Sequence, residues 1–274
     1  MKKKIWNLKN LSLFLGLLVF ITGCSNDSNV MSPTTASFKV GPVTQDSFSL
    51  SDDAIEYIPP YDVARFRPVL DASKLQAPTS STACPQGEFD GFADWFFYLY
   101  VGNDTYMTFK MSGDSCRSEL RQMEEWKTST TSWRKMIGDV RVFYPTDDSL
   151  NQFTWMQIHD SSVEVNLPLI RLVWLRSRGD ILDHLWAYVR KSVTEPIYDV
   201  VDLGPRPDGF FHAEVKVLNN KLRVLIDYVA KIENMDVSYW QDLNNYFKAG
   251  VYLQDDGTAK VQFKNLNYYN QILE

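Results

Sequence analysis

Three short stretches hold residue types that could move protons beside an anionic ligand: Arg117-Ser-Glu-Leu-Arg121, Gln157-Ile-His159 and Tyr246-Phe-Lys-Ala-Gly-Val-Tyr252. Side chains alternate across a β-strand with period two. Read as strands, the stretches turn Arg117, Glu119, Arg121, Gln157, His159, Tyr246, Lys248, Gly250 and Tyr252 one way. Leu120, Ile158, Phe247, Ala249 and Val251 turn the other way. If the polar faces belong to one sheet, they make a groove with two guanidiniums, an amide, an imidazole, an ammonium and two phenols. Cations and an amide can hold a carboxylate by charge-assisted hydrogen bonds. Histidine is the side chain best matched to proton transfer near neutral pH. The set suits an anionic sugar with a base and an acid beside it.

Each stretch also has a plainer reading. Alternating charges suit a solvated sheet face, and a lone strand histidine is more often structural than catalytic. A strand glycine can mark a bulge at an edge strand. Against these, Glu119 sits two residues from each arginine and can hold both guanidiniums. Trp155 falls, by alternation, on the face of Gln157 and His159. Gly250 clears room between Lys248 and Tyr252 for a sugar ring.

In this order and at this spacing, the three segments resemble the three motifs of the alginate lyases of polysaccharide lyase family seven. The likeness covers the chain after its N-terminal linker. Leu253-Gln254 departs from the Asn-Gln commoner in the family, but Leu253 falls on the apolar side of the strand. The resemblance implies an all-β, antiparallel β-jelly-roll sandwich with a concave substrate groove. It implies β-elimination of a 1,4-linked uronate polymer, leaving a 4,5-unsaturated end, without a cofactor. Position by position it implies Arg117, Gln157, His159 and Tyr252 as the catalytic set, with Glu119, Arg121, Lys248 and Tyr246 binding substrate. Ile158, turned to the core, is expected to act indirectly, and the resemblance ties isoleucine here to guluronate-containing blocks. Two alternatives stay open: a noncatalytic jelly-roll lectin for uronates, and a lyase for another polyuronate such as glucuronan.

The chemistry explains the residue types. The C5 hydrogen of a uronate is poorly acidic, so its carboxylate must be neutralised as charge develops, as in any oxyanion site. Arg117 and Gln157 are the candidates, with His159 able to share the task. Neutral His159 can take the C5 proton. Tyr252 can protonate the leaving oxygen, and for the epimeric uronate it can be both base and acid. Lys248, Arg117 and Arg121 are expected to favour its phenolate over the ordinary pKa near 10.

The elements that must position these residues read as short alternating runs between turns, the pattern of a sandwich. Residues 105–112 form one such run. Residues 211–217 and 221–228 flank Asn219-Asn220, a hairpin signal because Asn tolerates positive φ. Asp255-Asp256-Gly257 reads as a second hairpin turn between 251–253 and 259–263. Residues 72–75 and 240–245 read as helical turns, and 204–209 as a loop. Aromatics make up 14% of the chain, with 8 Trp, 14 Tyr and 16 Phe, enough for a substantial core and for rings that stack on sugars.

Residues 1–23 read as a secretory signal: Lys2, Lys3 and Lys4, then an apolar run over 11–21, too short for a confident membrane span. Ile21-Thr-Gly-Cys24 resembles a bacterial lipobox, which implies lipidation of Cys24 and an exported, membrane-tethered protein, with Ser25 favouring the outer membrane. Residues 24–51 have linker composition. Residues 52–274 are expected to be the single β domain, acting as a monomer. Cys84 and Cys116 are a candidate disulfide in an oxidising compartment. With only three histidines and no Cys/His cluster of zinc spacing, no metal site is expected. A net charge of -6 argues against nucleic acid and leaves any polyanion to a local basic strip.

Overall fold

The computed structural model describes residues 58–95, 97–98 and 105–272. The signal, the lipobox cysteine and the linker lie outside the described residues. Among the described residues a short helix, α1 (Arg67–Asp71), leads into fifteen strands. They are β1 (Ser73–Gln76), β2 (Thr82–Cys84), β3 (Phe97–Tyr98), β4 (Met107–Ser112) and β5 (Arg117–Gln122). Next come β6 (Ser132–Val142), β7 (Gln152–Asp160), β8 (Pro168–Arg178), β9 (Ile181–Arg190) and β10 (Tyr198–Pro205). The chain closes with β11 (Phe211–Leu218), β12 (Lys221–Ile226), β13 (Val229–Asp236), β14 (Asn245–Leu253) and β15 (Thr258–Ile272).

All pairings are antiparallel and make two sheets, in the orders β10-β9-β8-β7-β14-β5-β1-β2 and β13-β12-β11-β6-β15-β4-β3. The sheets pack face to face as a β-jelly roll. Their inner faces follow the period-two pattern. Leu120, Ile158, Phe247, Ala249 and Val251 are fully buried with Val140, Val215, Val261 and Phe263 of the opposite sheet. The motif strands β5, β14 and β7 are adjacent in the middle of the eight-stranded sheet, so their outward side chains share one face.

Several sequence expectations change. Residues 73–76 are strand rather than helical turn, because the helix ends at Asp71. A 3₁₀ turn occupies Ser238–Trp240, beginning two residues earlier than expected. Strand β10 runs on through Pro205, so only the later part of 204–209 is loop. Asn219 and Asn220 do close the β11–β12 hairpin, with φ of 47° and 58°. Asp255-Asp256-Gly257 is no hairpin turn: β14 and β15 lie in different sheets, and the turn carries the chain between them.

The expected Cys84–Cys116 bond is not made. Cys84 is a free, buried thiol whose Sγ lies 3.3 Å from the Glu88 carbonyl oxygen; burial pushes its pKa up to about 11. The sheet explains this. Strand β1 lies between the two cysteines' strands, with Leu75 facing Cys84 on one side and Leu120 on the other. Cys116 is four residues further along, so the Cα atoms stand roughly 16 Å apart by strand geometry. A disulfide spans less than about 7 Å.

Candidate active site

The register carries the outward residues into contact. On β14 and β5, Lys248 faces Arg121, Gly250 faces Glu119 and Tyr252 faces Arg117. On β14 and β7, Lys248 faces Gln157 and Tyr246 faces His159. The structure therefore brings all eight proposed site residues onto one face.

Glu119 is the centre. It is 1% exposed, and one carboxylate oxygen accepts from Gln157 Nε2 at 2.6 Å. The other accepts from Lys248 Nζ at 2.5 Å and lies 3.5 Å from Arg117 Nη1. Sequence reasoning had Glu119 holding both guanidiniums. Instead Arg121 turns away to Glu125, at 2.5 Å, and donates to the Gln122 carbonyl at 3.0 Å. A single carboxylate already bound by an ammonium, an amide and one guanidinium has little room for a second. Lys248, also 1% exposed, lies under the groove floor and reaches the face through its contact with Glu119. Burial lowers its pKa to about 8, against the pull of Glu119.

The two arginines each cover a phenol. The Arg117 guanidinium is 4.0 Å from the Tyr252 ring centre, and that of Arg121 is 3.9 Å from Tyr246. Such stacking fixes guanidinium and ring together. Arg117 Nε is buried with no hydrogen-bond partner.

His159 sits beyond Gln157 on the same strand. Its Nδ1 is 2.7 Å from the Asp160 backbone oxygen, which can only accept. Nδ1 therefore carries the proton and Nε2 the lone pair. Burial is the main cause holding its pKa down to about 4, with Lys248 next. The imidazole is neutral at neutral pH. Tyr246 lies alongside, its ring stacked on His159 with centres 5.6 Å apart.

Asp160, fully buried, pins the carbonyl that orients His159. Its carboxylate accepts from Ser162 Oγ at 2.5 Å and from the backbone N–H groups of Ser162 and Asn166 at 3.1 and 3.0 Å. The Asp-Ser-Ser run after the Gln-Ile-His motif is the sequence signal for this turn.

Two sequence readings of the face are overturned. Trp155 does not share it. A bulge between Thr154 and Met156 adds a residue to β7, and Trp155 turns into the core against Phe211, ring centres 5.7 Å apart. Thr154 takes the outward place opposite Tyr252. Gly250 does not serve to clear room for a sugar. Its φ is +145°, and a Cβ there would lie 2.2 Å from the Ser118 carbonyl oxygen of β5. The β14–β7 register shifts between Ala249 and Tyr252, so this is a bulge, but on a central strand. Sequence reasoning missed Lys74 on β1 and Arg171 and Tyr188 on β8 and β9, which pair in register with Arg121, Gln157 and Arg171 respectively. Strand alternation carried that signal, but nothing in sequence places those strands next to the motifs.

Among the described residues no group of three or more His, Cys, Asp or Glu side chains could hold a metal ion. The face carries the Arg117 guanidinium and the Gln157 amide beside a neutral imidazole, with an arginine-covered phenol across the Glu119–Gln157–Lys248 group.

Comparison with known proteins gives concordant findings. The family model described as alginate lyase matches residues 69–270. An alginate lyase from Photobacterium sp. (strain ATCC 43367) is 26% identical over 250 residues, covering 76% of this chain and 87% of that protein. Among solved structures, alginate lyase AlyC3 in complex with dimannuronate superposes with a TM-score of 0.72 at 24% identity, covering 84% of this chain and 100% of that chain. Alginate lyase A1-II', a member of polysaccharide lyase family seven, superposes with a TM-score of 0.59 at 20% identity, covering 74% and 96%. At these identities the solved structures show the fold.

Proposed function

This chain belongs to the alginate lyase family, polysaccharide lyase family seven, and we propose that it cuts alginate by β-elimination through Arg117, Gln157, His159 and Tyr252. The observation that carries the proposal is the pairing of a neutral His159, its proton committed to the Asp160 oxygen, with Tyr252 beneath the Arg117 guanidinium on the same face.

In this mechanism a uronate carboxylate takes the outer guanidinium donors of Arg117 and the amide of Gln157. Glu119 holds both donors in place, so they need not reorganise as charge builds on the carboxylate. His159 Nε2 removes the C5 proton. The Tyr252 hydroxyl gives its proton to the C4 oxygen as that bond breaks, leaving a C4–C5 double bond on the new non-reducing end. Tyr252 is then recharged by the proton on His159 through solvent. Arg121 and Tyr246 border the bound sugar, and Glu119 and Lys248 work from below.

The test is to incubate the protein with alginate, glucuronan and purified uronate blocks and follow ultraviolet absorbance of the unsaturated uronate. The expected result is chromophore from alginate, persisting in chelator. Shortening of alginate without chromophore means hydrolysis and ends the proposal. The Ile158 reading adds faster cutting of polyguluronate or mixed blocks than of polymannuronate, with Ile158→Val alongside. A polymannuronate preference in the unmodified protein overturns that part.

The same proposal extends to location. Residues 1–23 act as the export signal, Cys24 carries the lipid, and residues 24–51 tether a monomeric domain to the membrane. Cys24→Ser should release the protein. An unmodified N-terminus on wholly soluble wild type contradicts it.

A further inference from the structure

One row of outward side chains crosses the eight-stranded sheet: Lys74, Arg121, Lys248, Gln157, Arg171 and Tyr188, each paired in register with the next. Residues paired this way stand about 5 Å apart on one face. Arg171 is therefore the first cation beyond Gln157 on the side away from Arg121. The other arginines of this face each have at least one acceptor. Arg117 has Glu119 and Arg121 has Glu125. Arg190 donates to the Glu195 carbonyl at 2.9 Å and to the Tyr198 hydroxyl at 3.1 Å.

Arg171 has no such acceptor. Among the described residues it makes no hydrogen bond or ion pair, and its Nε is buried without a partner. The Tyr188 ring lies 5.6 Å from the guanidinium. That ring is held in turn by Arg178, which donates to the Tyr188 hydroxyl at 3.3 Å. A partly buried guanidinium left without an acceptor costs free energy that a ligand carboxylate would recover. Its planar fork matches a carboxylate, and the half-exposed Tyr188 ring offers a flat face to a sugar. Beside them on the same face Val173, Leu175 and Trp186 form a small apolar cluster that Tyr188 packs against, separate from the main core.

We propose that Arg171 and Tyr188 form a flanking subsite that binds the carboxylate and ring face of a uronate beyond the one being cleaved. This rests on the reading of the protein as a polyuronate lyase. It assigns the direction of the bound chain: across the strands, from Arg121 past Gln157 to Arg171.

The test compares the unmodified protein with Arg171→Gln and Arg171→Lys on size-fractionated uronate oligomers and on polymer. Loss of a charge-assisted bond of this kind weakens binding about tenfold or more. Arg171→Gln is expected to raise KM by that factor on the longest chains. The loss should shrink as oligomers become too short to reach the subsite and should fall on KM more than on kcat. Arg171→Lys, keeping charge but not the fork, should recover part of it. A loss equal at every chain length, a loss carried by kcat, or no loss with an unchanged melting temperature overturns the subsite. If Arg171→Gln does not fold, Arg171→Lys and Tyr188→Leu carry the same comparison. If the unmodified protein makes no unsaturated product from any polyuronate, the functional reading has failed instead. The subsite is then read from calorimetric binding of an alginate tetramer, where equal affinity for wild type and Arg171→Gln overturns it.

Discussion

At the scale of single residues, burial withholds solvent from groups that would otherwise titrate at ordinary values. His159 ordinarily titrates near 6.5, and here burial brings it to about 4. As a base it should therefore stay competent well below neutral pH. Lys248, held at about 8, loses its charge above that and leaves Glu119 without its ammonium partner. The rate profile in kcat/KM is expected to be a bell with its acid limb near 4 and its alkaline limb near 8. Lys248→Arg, which stays charged, should move the alkaline limb upward. An alkaline limb unchanged in that variant would contradict the role of Lys248. Stability follows the same group with a definite sign. Between pH 6.5 and 4 the unfolded chain takes up a proton at position 159 that the native state refuses, so stability falls as pH drops through this window. Melting curves of His159→Gln should lack that component. For turnover, His159→Ala and Tyr252→Phe should each lose about 10²–10⁴-fold while still folding. Near-normal rates in both, at unchanged melting temperature, would remove the assignment.

At the scale of elements, three adjacent strands turn sequence motifs into a site, and the bulge at Gly250 is what lets them lie together. The glycine's left-handed φ and the 2.2 Å approach to Ser118 exclude any side chain there. Left-handed strain and overpacking each cost about 1–3 kcal/mol. Gly250→Ala should thus lower stability by roughly 3 kcal/mol, or about 10 °C in melting temperature for a domain of this size. It should also cut activity, because Lys248 and Tyr252 lie on either side of the bulge. Calorimetry alongside initial rates on alginate tests both, and an unaltered melting temperature would show that β5 can move away.

At the scale of the whole molecule, the core described here begins at Ile58 and already closes the sandwich between its two sheets. Phe66, Val69 and Leu70 of the opening helical turns are fully buried in the core, so the fold needs them. A chain starting at residue 52 keeps every described strand and is expected to cut alginate at the rate of the full protein. A large loss of stability would place part of the preceding segment in the fold. Labelling Cys84 is a companion measurement: a buried thiol with a raised pKa should resist thiol reagents until the protein unfolds.

The division between sequence and structure follows from the range of the forces involved. Strand alternation is a local property. So the outward turn of Arg117, Glu119, Arg121, Gln157, His159, Tyr246, Lys248 and Tyr252 could be read from the chain alone, as could the inward turn of Ile158, Phe247 and Val251. The hairpin at Asn219-Asn220 was legible for the same reason, since both residues accept positive φ. Bulges defeat that reading, because an extra residue in one strand is visible only against its partner, and so Trp155 was assigned to the wrong face. Whether two strands pair is a matter of global packing. Asp255-Asp256-Gly257 therefore looked like a hairpin while joining two sheets, and Cys84 looked bondable to Cys116 while β1 stood between them. The choice of partner for Glu119, Lys248 rather than Arg121, was likewise decided by cross-strand register. Arg171 and Tyr188 lie in segments with no motif, and only the pairing of β8 with β7 sets them beside the site.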